Sequence, residues 1–310
     1  HLVAEQPTRR RGRDDPLAHL VGHERHLPPR ACRRGDERVD ARRQGRLGRG
    51  VDFLTHIGTD DNGHRIARHL KDSGVHLVSG STGAARTPTA TALLDAAGAA
   101  TYEFDLDWQV PSTADIRPPV VAHTGSIAAV LGTGALATAA LLDTYRTDAT
   151  ISFDPNVRPA LIADREQAIA RIERIVERAD VVKASDEDLR WIDPSRAPEQ
   201  IATAWQKMGP KIVVVTLGER GALAVCGAGS IHIEAPPVRV VDTVGAGDAF
   251  MTGLIDALWS LDLLGGGRRA ALSTISVTTL EDILRSAARV SAYVVARSGA
   301  DLPRRADLDY

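Results

Sequence analysis

The densest chemistry in the sequence is the run DTVGAGDAF, Asp242 to Phe250. Gly245, Ala246 and Gly247 have small or absent side chains, so backbone N–H groups can converge there on an anion. An apolar helix is expected from about Gly247 to Leu261, and its dipole adds partial positive charge at the same point. A phosphate is the natural guest. Asp248 brings a carboxylate to this spot, where a phosphate would repel it unless its task is to take a proton from an attacking hydroxyl. The combination points to phosphoryl transfer; the plainer alternative is an acid favoured by the first turn of a helix.

The elements that must position this run alternate along the chain. VDFLTHIG predicts a strand ending at Gly58, followed by a loop and a helix stopped by Gly74. TATALLD and ATYEFD, joined by Ala-Ala-Gly-Ala, predict a hairpin near residues 87–107 that forms a flap. VVAHTGSIAAV and ATISFDPN predict strands separated by an Ala/Leu helix. In DREQAIARIERIVERAD the residues Ile169, Ile172, Ile175 and Val176 form one helical stripe. The strand DVVKAS follows, and Ser185 with Asp188 imitates a capping box, so the next helix should start at Asp186. KIVVVTLG is an apolar run of the kind buried on both faces. Strands around LAVCG, IHIEAP and VRVVDT come next, and the last helix is placed near Leu280 to Arg297. This alternation predicts a mostly parallel sheet covered by helices on both sides.

Composition narrows the function class. The chain has 310 residues, of which 43% are hydrophobic and only 4% aromatic, so an aromatic platform for stacked bases is not expected. Lys plus Arg number 38 against 40 for Asp plus Glu, which gives no global field toward nucleic acid or membrane. The uncharged stretch Val120 to Leu142 is diluted by His123, glycines and threonines, and fits a buried strand running into a buried helix better than a membrane span. Cys32 and Cys226 are the only cysteines, which fits a cytoplasmic setting. The expected partner is a small molecule.

The front of the chain departs from this order. Residues 1–50 hold 13 Arg, no Lys and 7 acids, a formal excess of +6, so the remainder carries −8 of the total −2. Between His26 and Gly50 no apolar periodicity survives the prolines and glycines.

DTVGAGDAF closely resembles the signature of the ribokinase-like, or phosphofructokinase B, carbohydrate kinases. Further segments match that family in order: VDFLTHIGTDDNG, DPNVRP at Asp154 to Pro159, VKASDEDL around Lys183 to Leu189, VTLGERGA around Thr216 to Ala222, and ARSGADLP at Ala296 to Pro303. The resemblance covers about residues 51–303 and implies a three-layer α/β/α fold with a small β lid. It implies that Asp248 is the base for a sugar hydroxyl and that Gly245, Ala246 and Gly247 form an anion hole. By it, ATP lies along Lys183, Ser185, Thr216, Gly218 and Gly221, with adenine near Ala288 and Ser291. Glu187 falls in the acidic position that organises Mg2+ through water, and Arg158 approaches the sugar. Asp242 falls beside a monovalent cation site, K+ in kind, although an Asp closing a turn explains it nearly as well. The family also forms flap-to-flap homodimers. How DPNVRP and TYEFD resemble fructokinases makes fructose or a related sugar the leading substrate.

Family members open with a strand ending in a sugar-binding Asp, then carry a Gly-Gly pair and an Asn; neither is visible here. His1 stands where the Asp is expected, and the pattern resumes at about Arg46. A reading-frame error across roughly residues 20–45 accounts for both the arginine excess and the loss and return of the pattern. Two other functions follow from these features. One is a catalytically impaired kinase-fold binding protein. The other is an NAD-dependent oxidoreductase, from the G-x-G-x-x-A pattern at Gly132, Gly134 and Ala137 with Asp154 about twenty residues beyond.

Overall fold

A computed structural model describes residues 2–6, 45–94, 100–111, 118–299 and 303–308. The Arg-rich segment between residues 20 and 45, with its expected frame error, lies outside the described residues.

A nine-stranded sheet carries the fold, in the order β11-β10-β9-β8-β7-β6-β1-β2-β3. Its strands are β1 (Leu2–Gln6), β2 (Gly50–Leu54), β3 (Val75–Leu77), β6 (Val121–Gly125), β7 (Thr150–Asp154), β8 (Val181–Ser185), β9 (Ile212–Thr216), β10 (Ala222–Cys226) and β11 (Gly229–Ile233). Only β1 and β10 run against the other seven, as the pairings require. The expected mostly parallel sheet is therefore present, with one difference. Residues 2–6, for which no strand was expected, form β1 in mid-sheet, antiparallel to both β2 and β6.

The strands β6 to β9 lie side by side in chain order and parallel, each joined to the next through helices. The short α2 (Ser126–Val130) and α3 (Gly134–Tyr145) follow β6, α4 (Arg165–Val176) follows β7, and α5 (Asp186–Ile192) and α6 (Pro198–Met208) follow β8. Burial on both faces explains the apolar runs: Val213 and Val215 pack on one side with Leu142, Ile172 and Trp205. Ile212 and Val214 pack on the other with Leu254, Leu258 and Leu284. That second layer is built by α7 (Ala246–Ser260) and α9 (Val277–Val295), with α8 (Arg269–Ser273) between them in sequence. Gly253 lets α7 and α9 meet closely, since a Cβ there would stand 2.7 Å from the Ala287 Cα.

The first helix, α1 (Asp61–Lys71), begins at the N-cap Asp60, whose carboxylate accepts from the Gly63 amide at 2.9 Å. The same carboxylate accepts from the Thr87 amide and hydroxyl, both at 2.7 Å, and so ties the helix to the root of the flap. The flap is the expected hairpin: β4 (Thr89–Leu94) pairs antiparallel with β5 (Ala100–Asp105), and an Arg86–Asp105 ion pair closes its base.

One expected strand is absent. VRVVDT has the alternation of a strand, but residues 238–243 have no strand neighbour among the described residues, and Val240 and Val241 are 58% and 55% exposed. The amides of Val241 and Asp242 donate instead to the carbonyl of Val295, so the segment is tied to the end of α9 rather than to the sheet. No helix among the described residues is long and apolar enough to cross a membrane.

Candidate active site

The ends of β7 and β8, the loop after β7 and the start of α7 converge on one buried group of charges. Residues Phe153 and Val182 are paired across β7 and β8, and one step further along the two strands Asp154 faces Lys183. The Lys183 ammonium donates to Asp154 Oδ2 at 2.6 Å, with both side chains 4% exposed or less. Full burial alone would lower the lysine's pKa; the carboxylate of Asp154 first, then those of Asp188 and Asp248, outweigh this and raise it. Lys183 is a fixed cation.

The loop after β7 is held from two sides. Asp154 Oδ1 accepts from the amide of Asn156, a residue in the left-handed region at φ 34°. Asp188 Oδ1 accepts from the Val157 amide at 2.7 Å, while its Oδ2 accepts from the Ser185 amide and hydroxyl at 2.8 and 2.7 Å. The expected capping box is therefore real, α5 starts at Asp186, and its N3 acid reaches across to the neighbouring loop. Burial, followed by the Asp154 carboxylate, pushes the Asp188 carboxyl above the ordinary range. Thus fixed, Asn156 aims its side-chain amide at Asp248 Oδ1, 3.4 Å away, and accepts from Arg158 at 2.6 Å through its own oxygen.

Above Lys183 lies the start of α7. Gly245 is the N-cap at φ 78°, a left-handed conformation that favours glycine, and it offers no side chain to cap the first turn. A Cβ on Gly247 would stand 3.0 Å from the Lys183 Nζ, so glycine there brings helix backbone and ammonium together. Asp248 is 5% exposed, one residue further on. The Ser291 hydroxyl, from α9, donates to the Ala246 carbonyl at 3.0 Å and braces the turn from behind. Backbone donors, a buried ammonium and a carboxylate thus meet at one point, the arrangement suited to moving a phosphoryl group onto a hydroxyl.

Several expected site residues stand elsewhere. Glu187 is exposed on α5 and does not enter the charge group; its neighbour Asp188 does. With an acid at each of three successive positions, 186 to 188, only the helix turn decides which one faces inward. Ala288 is 6% exposed and packed in the apolar layer between α9 and the sheet, because its helix face is the one that meets the core. The Asp242 carboxylate accepts from the Val244 and Gly299 amides, at 2.9 and 3.0 Å, and so closes the turn and holds the chain beyond α9. Thr216 ends β9, and Gly218 and Gly221 follow at φ 62° and 88°, forming an open glycine turn beside Ser185.

The dinucleotide pattern has a different origin. Gly132 and Gly134 follow the helix α2 rather than a strand, and Gly134 is small because a Cβ would stand 2.3 Å from the Trp108 carbonyl oxygen. Asp154 is committed to Lys183. These positions do not form a nicotinamide site.

Asn156 and Asp188 were not among the expected site residues, and Asp154 was expected only as part of the dinucleotide pattern. DPNVRP and the capping spacing marked their places, but the pairing of β7 with β8 that unites them is a tertiary fact. Asp188 spends both oxygens on protein donors, and among the described residues no set of three or more His, Cys, Asp or Glu is placed to chelate.

Residues 37–307 match the model of the pfkB family carbohydrate kinases. A fructokinase of Rhizobium leguminosarum bv. trifolii is 33% identical over 253 residues, 79% of this chain and 77% of that one. A fructokinase of Salmonella typhimurium is 31% identical over 281 residues, 85% of this chain and 86% of that one. In fold, the chain is similar to the fructokinase with bound ATP from Xylella fastidiosa, with a TM-score of 0.73 and 23% identity over 88% of each chain. With its three-layer fold and the carboxylate and glycines of its signature run gathered at one site, the chain belongs to the pfkB family of carbohydrate kinases.

Proposed function

We propose that the chain transfers the γ-phosphoryl group of ATP to a hydroxyl of fructose or a closely related sugar. The observation that carries this reading is the buried Asp248 carboxylate at the start of α7, with the Lys183 ammonium directly beneath Gly247. Asp248 accepts the proton of the sugar hydroxyl, the hydroxyl oxygen bonds to the γ-phosphorus, and the bond from that phosphorus to the β-phosphate oxygen breaks to release ADP. The α7 backbone and Lys183 balance the charge on the moving group. ATP runs from there toward Ser185, Thr216 and the glycine turn at Gly218 and Gly221, with Mg2+ carried on its phosphates to offset their charge. Arg158, held on Asn156, lies on the sugar side. Similarity to two fructokinases at 31 and 33% identity supports fructose as the sugar.

The test is ADP release from Mg-ATP with fructose, ribose, 2-keto-3-deoxygluconate and adenosine. Fructose-dependent release is expected, lowered about 10^2- to 10^4-fold in Asp248→Asn while ATP affinity stays nearly constant. Full activity in Asp248→Asn removes the base from its role. ATP binding without release for any acceptor makes the chain an impaired binding protein, with the fault in the front segment that lacks the Gly-Gly/Asn pattern.

A further inference from the structure

We propose that Trp108, seated against Gly134 at the start of α3, is a positioning residue that sets the flap over the sugar. For its effect on turnover the proposal rests on the kinase reading above; the seat itself does not.

Gly132 and Gly134 imitate a dinucleotide fingerprint and take no part in one, so their presence needs another cause. Gly134 is buried at the first position of α3 and lies outside the left-handed region. Alanine would form the helix better there. What glycine supplies is room, since a Cβ would stand 2.3 Å from the Trp108 carbonyl oxygen, 2.4 Å from its ring Cδ1 and 2.8 Å from its Cγ. Backbone and ring of Trp108 thus both lie against α3, and the residue is 5% exposed. Gly132 is a glycine for a different reason: its φ is 54°, and nothing stands within 4 Å of a Cβ. One glycine makes the turn, and the other makes the seat.

Trp108 follows the end of β5 closely in sequence, so the seat fixes one root of the flap. Its neighbours are tied as well. His56 Nδ1 lies 3.3 Å from the Asp107 carbonyl oxygen, and Val110 packs on the core that holds Ala129 and Val157. The other root is held at Thr87 by Asp60. These fastening points follow the carboxyl ends of parallel strands: His56 and Asp60 come after β2, and Gly134 comes after β6. Asp154 ends β7, the strand beside β6, and a Cβ on Gly125 at the end of β6 would stand 2.0 Å from the Asp154 carbonyl oxygen. The flap is therefore rooted on the same edge of the sheet as the charge group, where ligands of such sheets bind.

Transfer to a sugar hydroxyl rather than to water needs the acceptor held and water kept out. A two-stranded hairpin has little stability of its own, so its roots must set its position. Polar bonds from Asp60 tie the first root to α1, and the buried Trp108 is the apolar anchor of the second. Without the seat one root is loose, and the flap no longer holds the sugar or shields it.

The experiment measures amide hydrogen exchange over residues 100–111, and Mg-ATP kinetics with fructose, for the unaltered chain, Gly134→Ala, Trp108→Ala, their double variant and Gly132→Ala. In Gly134→Ala and Trp108→Ala the flap amides should exchange about tenfold faster. KM for fructose should rise about tenfold while KM for ATP changes by less than about threefold, and a larger share of the ATP should end as inorganic phosphate. The double variant should be no worse than the poorer single variant, because both changes empty one seat. Gly132→Ala strains the helix entry without touching Trp108, so it should lower Tm and leave flap exchange and KM for fructose unchanged. Unchanged flap exchange in Gly134→Ala, equal rises of KM for ATP and fructose, or a Gly132→Ala that matches Gly134→Ala each overturns the proposal. Should Gly134→Ala not fold, Trp108→Phe decides: it keeps a ring in the seat and should stay near the unaltered chain, and a loss equal to that of Trp108→Ala overturns the proposal. If the unaltered chain phosphorylates no sugar, the kinase reading falls and the seat's role in turnover falls with it, whereas unchanged kinetics in Gly134→Ala overturn this proposal alone.

Discussion

Replacing Lys183 by Met removes the one ammonium from a buried group of three carboxylates. At 2.6 Å the Lys183–Asp154 attraction is about 6 kcal/mol at an effective dielectric constant of about 20. Desolvation of two nearly inaccessible charges offsets much of this, so the intact pair adds little net stability. Loss of the lysine alone is different, because Asp154 stays buried beside two further acids, and breaking such a pair costs about 3–5 kcal/mol. That is a large part of a total of about 5–15 kcal/mol for a folded domain. In equilibrium urea unfolding, followed by tryptophan fluorescence, the midpoint should fall by about 1–2 M with the slope unchanged. The orphaned carboxylates can escape by taking up protons, so the deficit should narrow as pH falls toward the carboxylate range. Adding Asp154→Asn should restore most of the loss, since both charges of the pair are then gone. A loss below about 1 kcal/mol for Lys183→Met, or a double variant less stable than Lys183→Met, would refute the reasoning.

The Thr87 amide, the Thr87 hydroxyl and the Gly63 amide hold the Asp60 carboxyl at about 2, against an ordinary 3.8. A lowered carboxyl pKa adds stability above the unfolded value, so this contribution is present above about pH 4 and is lost as pH falls toward 2. Urea midpoints measured between those limits should fall with acid in the unaltered chain and fall less in Asp60→Asn; identical slopes would contradict the role given to Asp60. For Gly253→Ala, a Cβ set 2.7 Å from the Ala287 Cα and 2.9 Å from Val290 Cγ2 forces α7 and α9 apart. The expected cost is about 1–3 kcal/mol, read as a lower Tm, and an unchanged Tm would show that the two helices can part freely.

Most of the sheet was legible because burial on both faces writes continuous apolar runs, as in IVVVT, and because Ser185 with Asp188 marks a helix start by chemistry alone. The paired strands β4 and β5 were legible from two β-rich runs. VRVVDT misleads for a physical reason: β-branched alternation describes a side chain's fit to a sheet, and among the described residues no neighbouring strand receives it. The start of α7 was legible from the small residues that precede an apolar helical run. The charge group beneath it was not, since Asp154 and Lys183 lie 29 residues apart in sequence and meet only because β7 pairs with β8. Glu187 and Asp188 are one residue apart, and a rotation of about 100° on the helix separates solvent from site.

Transfer of phosphorus to sugar, rather than loss of ATP, is the central matter, and 31P NMR of the chain with Mg-ATP and fructose observes it directly. A phosphomonoester resonance should grow in step with ADP and be nearly absent with Asp248→Asn. ATP converted to ADP and inorganic phosphate with no ester, or ester formed equally by Asp248→Asn, would contradict the reading of Asp248 as the base in phosphoryl transfer to a sugar hydroxyl.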